Sequence, residues 1–310
     1  MEEKEMKKLL LVVGLCGVVA VGIVTPTFAA ATGPTSQMIE GAKREGSLSA
    51  KLRTGLTETS MTRLEREIRQ KYGVSLKITS SPSGNMPKDL SEAVMELKAG
   101  VPPSYDVMNF LDSFVPVAMQ AGVLERTNWK PLISENTNPK AVLDHPELLG
   151  AIVYYTGHLG LMYNSQKVPA NQVPKSLADL ANPRWKGKVG VFTFEETWAR
   201  WAFILGKEKV FSAVEGILRN GAVRGRFVDL QNRFLLGELS LCFTGSVYLK
   251  EAQDKGLPAA WKTLNLGEIQ NFTLSLRKGA KHPNAAQLVA IYLASPEGSR
   301  FILEESGAGN

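Results

Sequence analysis

The chain has 310 residues, a formal net charge of +6, 44% hydrophobic residues, two cysteines and three histidines. That length suits two α/β domains of ordinary size. The modest positive field favours anionic partners and falls far short of a nucleic-acid-binding tail, and two cysteines exclude a cysteine-rich zinc site.

Lys7 and Lys8 precede an apolar run from Leu9 to Val24, and Thr27, Ala29, Ala30 and Ala31 then supply small residues. This pattern predicts an export signal over residues 1–31, cleaved near its end. As a retained anchor the run is a little short, since a spanning helix needs roughly 20 residues. Lipid attachment at Cys16 requires a small residue before it, and Leu15 stands there. Three acids ahead of the lysines (Glu2, Glu3, Glu5) are unusual for a signal, and Met6 offers an alternative start. Cleavage leaves Cys242 without a disulfide partner, in "LSLCFTG", as a small buried hydrophobe. Residues 1–29 hold three acids and three bases, so the mature chain keeps its charge. Export points to a Gram-negative periplasm, apart from nucleic acid.

In the mature chain, Leu48, Ala50 and Leu52 alternate as in a strand, and "TGLTETS" follows as a loop. Met61, Leu64, Ile68 and Tyr72 share one helical face, with Thr59 or Ser60 as cap and Gly73 as stop. "VSLKITS" predicts a strand, "SPSGN" a loop, and "DLSEAVMELKAG" a helix burying Leu90, Val94 and Leu97; "YDVMNF" is a further strand. Strand, loop, helix, repeated, is the rhythm of a parallel sheet. "GAIVYYTGHLGLMYNS" runs extended, and proline-punctuated chain follows to Trp185. The rhythm then restarts: strand "KVGVF", helix from Trp198, strand "LSLCF", helix from Tyr248. After the extended "NLGEIQNFTLSL" come helices in "AAQLVAIYLA" and "SPEGSRFILEE", the latter with Ser295 as cap and Pro296 at its first position. In "NPRWKGKVGV", Trp185 sits among Arg184, Lys186 and Lys188. Such a segment suits either a grip on nucleic acid or a surface turn that launches a strand.

The order "EGSLSA", "KYGVSLKI", "ELKAGVPPSYDVMNF", "GLMYNSQKVP…VPKSLADLANPRWKGKVGV" and "RKGAKHPNAAQLVAIYLASPEGSRFIL" resembles the extracellular solute-binding proteins of ABC transporters. The likeness is to the family-1 group of ferric-iron, thiamine, phosphonate and polyamine binders, and it spans nearly the whole mature chain. The resemblance implies an α/β type II periplasmic binding fold. Each of two lobes would be a mostly parallel sheet flanked by helices, with the ligand cleft between them. Lobe 1 would comprise residues 32–153 plus 267–310, and lobe 2 residues 154–266. It further implies a monomer that takes a small-molecule ligand to an ABC permease in the inner membrane, with no cofactor, no nucleic acid and no catalysis. Trp185 then resembles the surface turn before the first core strand of lobe 2, packed down while its cations stay solvated. Relatives continue beyond the last helix with a stretch that packs back across the lobes, whereas this sequence stops at "GAGN".

Ligands of parallel sheets bind beyond the carboxyl ends of strands, where helix N-termini point. The candidate groups on lobe 1 are therefore Thr57, Glu58, Thr59, Ser81, Ser83, Gly84, Asn85, Asn109, Asp112 and Ser113. On lobe 2 they are Thr193, Glu195, Thr197, Trp198, Thr244, Gly245, Ser246 and Tyr248, with Tyr154, Tyr155 and Thr156 near the first crossing. Each serine or threonine serves equally well as a helix cap with no ligand contact. Hydroxyls and amides at helix starts, with Arg53 and Arg200 beside two of the loops, favour a small organic anion such as a carboxylate or phosphonate. A polyamine would use Glu58, Asp112 and Glu195 with Trp198. Ferric ion would use tyrosinates, but the iron binders' adjacent tyrosine pair has only Tyr248 at the matching place. Tyr154 and Tyr155 lie in a crossing strand, where alternation would send them apart, and His145, His158 and His282 fall in turns or in that strand. A sensory role and an enzyme on the same fold are the remaining alternatives. There is no Gly-x-Ser-x-Gly elbow, Walker loop or histidine-pair motif, and Glu195–Glu196 best complements a helix dipole.

Overall fold

The computed structural model describes residues 33–143 and 145–308. The predicted export signal lies outside them. After a helix at Ser36–Glu45 come β1 (Ser47–Arg53), a helix (Glu58–Tyr72), β2 (Lys77–Ser83), a helix (Met86–Lys98) and β3 (Val107–Leu111). The long β4 (Ala151–Asn164) leads to β5 (Val189–Phe192), helices Glu195–Leu205 and Lys207–Arg219, and β6 (Val223–Gly225). A helix at Phe227–Leu235, β7 (Leu241–Gly245) and a helix at Tyr248–Asp254 follow. Next are β8 (Ala259–Lys262), β9 (Glu268–Leu276) and the helices Pro283–Ala294 and Pro296–Ser306.

The strands form one sheet in the order β2-β1-β3-β9-β4-β7-β5-β6, with β8 also paired to β4. β2, β1 and β3 are parallel, as are β7, β5 and β6. Between these trios β9 runs antiparallel to both β3 and β4, and β4 antiparallel to β7. Two cores flank the trios. The first includes Leu52, Leu64, Tyr154, Tyr155 and Leu274, and buries the Pro283–Ala294 helix almost all round; the second runs from Leu159 to Leu264. A smaller cluster around Phe110 and Val115 backs β3. The change from one core to the other falls on β4 between Tyr155 and Leu159. This is the predicted architecture, with parallel trios joined through a central antiparallel pair.

Local expectations hold where propensity and packing agree. Ser295 caps the last helix as expected, accepting from the Gly298 amide, whereas the first long helix begins at Glu58 and is capped by Thr57, in a reciprocal box with Ser60, and not by Thr59 or Ser60. Trp185 is buried while Arg184, Lys186 and Lys188 are exposed, with the Arg184 guanidinium 4.3 Å from the Trp185 ring centroid. The segment is the structural turn into β5.

Two further expectations need correction. β2 begins at Lys77 and runs through Ser83, because every residue of it finds a parallel partner between Ser47 and Arg53. Ser81 and Ser83 are therefore strand residues and not loop residues. The Met86–Lys98 helix buries Asp89 and Ala93, while Leu97 is 42% exposed. The cause is polar: Lys51 Nζ lies 3.1 Å from Asp89 Oδ1, and Ser83 Oγ donates to Asp89 Oδ2 at 2.8 Å, which rolls the helix toward the sheet on its acidic side.

The last helix is clasped to the Glu58–Tyr72 helix. Ser60 Oγ donates to Glu305 Oε2 at 2.6 Å, and Arg63 reaches Glu305 at 2.8 Å and Glu304 at 2.6 Å. Gly307 ends that helix at φ 69°, where a Cβ would stand 2.5 Å from Lys250 Cβ, so both conformation and space require glycine. Burial pushes the Glu305 carboxyl up, but the Ser60 hydroxyl and Arg63 outweigh it and hold it below its usual 4.5. A depressed carboxylate stabilises the fold fully above its unfolded value and loses that contribution as pH falls through its folded one. The difference in melting temperature between wild type and Glu305→Gln is therefore expected to be largest at neutral pH and to shrink as pH drops below 4.5; scanning calorimetry across that range checks it.

Candidate functional site

The strand ends expected to face a ligand come together around the Tyr154–Tyr155 step. The register of β4 against β9 shifts between Val153 and Tyr155. This bulge adds a residue to one strand and breaks the alternation that would send neighbouring side chains apart. Both rings consequently enter the first core, with centroids 4.7 Å apart and nearly perpendicular, and their phenols within hydrogen-bonding reach of one another. The expectation that they diverge is overturned by the bulge. Tyr154 also donates to Asn109 Oδ1 at 3.1 Å. That bond fixes the Asn109 amide and leaves its buried Nδ2 without a partner.

Arg53, at the carboxyl end of β1, is 7% exposed, and its guanidinium carbon sits 5.0 Å from the Tyr155 ring centroid. Its Nη1 donates to the Ser306 carbonyl at 3.0 Å and to the Ser306 hydroxyl, while its Nε is buried and unpartnered. The Ser306 carbonyl ends a helix, so the partial negative charge there offsets some of the cation. No carboxylate pairs with Arg53 among the described residues. Tyr248, just past the carboxyl end of β7, is close enough to feel the same charge. Burial pushes its phenol up to about 12 and Arg53 draws it partly back. Burial likewise holds Tyr154 and Tyr155 well above the ordinary phenol value, with Arg53 opposing in both. All three remain neutral donors at physiological pH.

Most of the other predicted groups are engaged elsewhere. Thr57 and Asn85 are helix caps, and Glu58, Thr59, Gly84, Ser113, Thr193 and Glu195 are exposed at helix starts or turns. Ser83 serves Asp89, and Ser81 is half-buried in β2. Asp112 Oδ2 accepts from Asn271 at 2.9 Å. Thr197 accepts from Arg200, the Trp198 indole donates to the Phe192 carbonyl, and Ser246 Oγ accepts from the His158 amide. Thr156 is half-buried on β4, and Gly245 is buried at the end of β7. Buried Thr244 keeps an unpartnered hydroxyl. Arg200 does not reach in as expected, because Glu268 holds it at 2.6 Å and also takes the Trp201 indole at 2.7 Å.

Sequence reasoning singled out Trp198 and Tyr248 at the strand ends but passed over Phe194, Phe227 and Phe272. Phe194 and Phe227 pack at 5.0 Å, and Phe227 stands 5.9 Å from Tyr248. Phe272 stacks on Tyr155 at 4.3 Å. Gly157 makes room for that ring, since a Cβ there would lie 3.1 Å from it. The available signal was the placement of Phe194 and Phe227 directly after β5 and β6.

Two cavities, of about 320 and 400 Å³, contain none of the predicted residues. In the smaller, Lys51 meets Asp89 and Arg277 meets Glu96, each at 3.1 Å, so the charges are already neutralised. Ser47, His282 and Asp106 line up at 3.1 and 2.9 Å. Asp106 also accepts from the Ser49 and His282 amides, which makes it the clamp of the turn before the Pro283–Ala294 helix. Neither cavity includes this trio.

Residues 103–224 match the family described as bacterial extracellular solute-binding protein. Through that segment, less than half of its length, the chain is similar to bacterial extracellular solute-binding proteins, a family to which the substrate-binding proteins of ABC importers belong. Such proteins bind small ligands and deliver them to ABC permeases; the family is extracellular, residing in the periplasm, and binds its solutes without transforming them. No curated protein matches the chain. Among solved structures, a Trichodesmium protein (IdiA, FutA) in complex with iron and citrate is 20% identical, with TM-score 0.63, covering 85% of this chain and 86% of that one. Iron-bound HitA from Pseudomonas aeruginosa is 19% identical, with TM-score 0.65 and coverages of 84% and 85%. AfuA from Actinobacillus pleuropneumoniae, with fructose-6-phosphate bound, is 18% identical, with TM-score 0.63 and coverages of 85% and 84%. At these identities the likeness is one of fold, that of two-lobed periplasmic binding proteins.

Because the Arg200–Glu268 pair is partly exposed and occupied with itself, Arg200→Gln is expected to cost under about 1 kcal/mol of stability. It should leave anion affinity within about twofold of wild type. Denaturant melts and titration calorimetry check both.

Proposed function

We propose that the chain is the exported, monomeric binding component of an ABC importer, that it captures a small organic anion between two lobes, and that Arg53 anchors the anion. The observation that carries this reading is a buried guanidinium with a free Nε and no carboxylate partner, placed among three neutral phenols and the free Asn109 amide. A buried cation without a counter-charge is costly, and an anion with two oxygens repays it through charge-assisted bonds. Of the carboxylates a polyamine would need, Asp112 is tied to Asn271, and Glu58 and Glu195 are exposed at helix starts. Closure would pivot on β4 near Thr156–His158 and on β9 near Glu268–Asn271, where one core gives way to the other, a few residues beyond the lobe boundaries expected at 153/154 and 266/267. The ligand favours the closed form by its differential affinity. Neither nucleic acid nor catalysis belongs to this reading, and residues 1–31 serve as the cleaved signal.

Ferric ion is the second reading, favoured by one observation: the bulge gathers Tyr154 and Tyr155 near Tyr248. Two of the structural neighbours carry iron in their descriptions. Against it stands the same Arg53, whose charge opposes a bare cation.

Titration calorimetry with carboxylates, phosphonates, polyamines and ferric citrate separates these. Arg53→Met is expected to weaken anion binding roughly 10- to 100-fold, the value of a charge-assisted hydrogen bond. Saturation with the anion should compact the protein in small-angle scattering. An iron-dependent visible absorption band lost in Tyr155→Phe, with no anion binding in wild type, would overturn the anion reading. Mass spectrometry of periplasmic material should show a mature terminus near Ala29–Ala31; an intact Met1 or Met6 terminus would sink the export proposal.

A further inference from the structure

Resting on the anion reading, we infer that the ligand is an anion with a flat, apolar body, its charged head on the Arg53 side and its ring on the Phe194–Phe227–Tyr248 side. The two sides of the site offer opposite chemistries. Around Arg53 the unspent groups are donors: Arg53 Nε and Asn109 Nδ2, both buried, beside the phenols of Tyr154 and Tyr155. Across the sheet most of the buried polar groups are already taken. Thr197 is held by Arg200, Ser246 by the His158 amide and the Trp198 indole by the Phe192 carbonyl, which leaves Thr244 Oγ1 buried, while Thr193 and Glu195 are exposed to solvent.

What the second side does present is ring surface. β5 ends at buried Phe192, and of the two residues that follow, Thr193 is exposed to solvent and Phe194 is half-buried. Phe227 follows β6 in the same way, and Tyr248 follows β7. Three successive parallel strands thus deliver a half-buried ring to the end where ligands of such sheets bind. The rings pack edge-on or tilted on one another, Phe194 to Phe227 at 62° and Phe227 to Tyr248 at 54°; Phe194 lays one face on Phe192 at 6.1 Å, and among the described residues the Phe227 and Tyr248 faces are unstacked. A planar ligand gains most from such faces, by offset stacking and by burying apolar area. A fully hydrated oxyanion gains nothing from them. The head-and-body division also orients the ligand, since reversing it would set the charge against rings and the ring against unmet donors.

The test compares ligands on the wild-type protein by titration calorimetry. Phenylphosphonate and benzoate are expected to bind at least roughly tenfold more tightly than methylphosphonate and acetate. Phe194→Leu and Phe227→Leu keep most of the packing volume and should narrow that gap severalfold while leaving methylphosphonate affinity unchanged. If methylphosphonate binds as tightly as phenylphosphonate, the aromatic body is wrong and the anion reading stands. If no anion of the four binds and Arg53→Met changes nothing, both fall. If the leucine variants lose methylphosphonate and phenylphosphonate binding equally, the rings merely hold the fold and the inference is overturned.

Discussion

β4 and β9 run antiparallel from Ala151 opposite Ser275 to Leu159 opposite Glu268, and each passes from one hydrophobic core into the other. Everything else is placed relative to that pair. The parallel trios attach to its two sides, β3 to β9 and β7 to β4, so the carboxyl ends of β1, β5 and β7 meet beside the strands that cross. The bulge at Tyr154 lies within this pairing. A regular strand would bury one tyrosine and turn the next away; the added residue brings two phenols to one side and sets Tyr155 under Arg53. Covalent continuity of two strands thus fixes both the architecture and the geometry of the site.

Arg53 is the costly element in this arrangement. Its cation is removed from water and is met by a ring face, a hydroxyl and the carbonyl end of a helix, none of which carries a full charge. These contacts together offset part of the desolvation, and in the proposed reading the ligand would supply the remainder. The contrast with Arg277 is instructive. That guanidinium is at least as buried, but Glu96 at 3.1 Å completes it, together with the Val123 carbonyl at 3.2 Å. Burial lowers its pKa and Glu96 opposes the fall. One buried arginine is closed on itself and structural; the other is open.

The fold was legible because strand alternation and helix periodicity agreed with the tertiary answer. Leu48, Ala50 and Leu52 are indeed buried, as are Met61, Leu64 and Ile68. The Met86–Lys98 helix misled, since apolar periodicity pointed to Leu97 while a buried ion pair at Asp89 decided the rotation. In the site, spacing located the strand ends but could not say which hydroxyls were already used. Thr57, Asn85 and Thr197 are spent on caps or neighbours, and only coordinates reveal a partner distant in sequence, such as Ser306 for Arg53. A bulge leaves no mark in a run like "VYYTG", so the convergence of Tyr154 and Tyr155 was invisible to a rule of alternation.

Specificity in such a site rests as much on repulsion as on attraction. A cationic group brought within about 4 Å of Arg53, at an effective dielectric of about 20, is repelled by about 4 kcal/mol, close to a thousandfold in affinity. Among the described residues no carboxylate pairs with Arg53 to compensate, and burial keeps the phenols beside it neutral. The whole-protein charge of +6 adds little to this, since fields from exposed lysines are screened within about 8–10 Å in ordinary salt. In the proposed reading a single unpaired guanidinium would therefore set the sign of the ligand, and the rings across the sheet would act on the part of it that carries no charge.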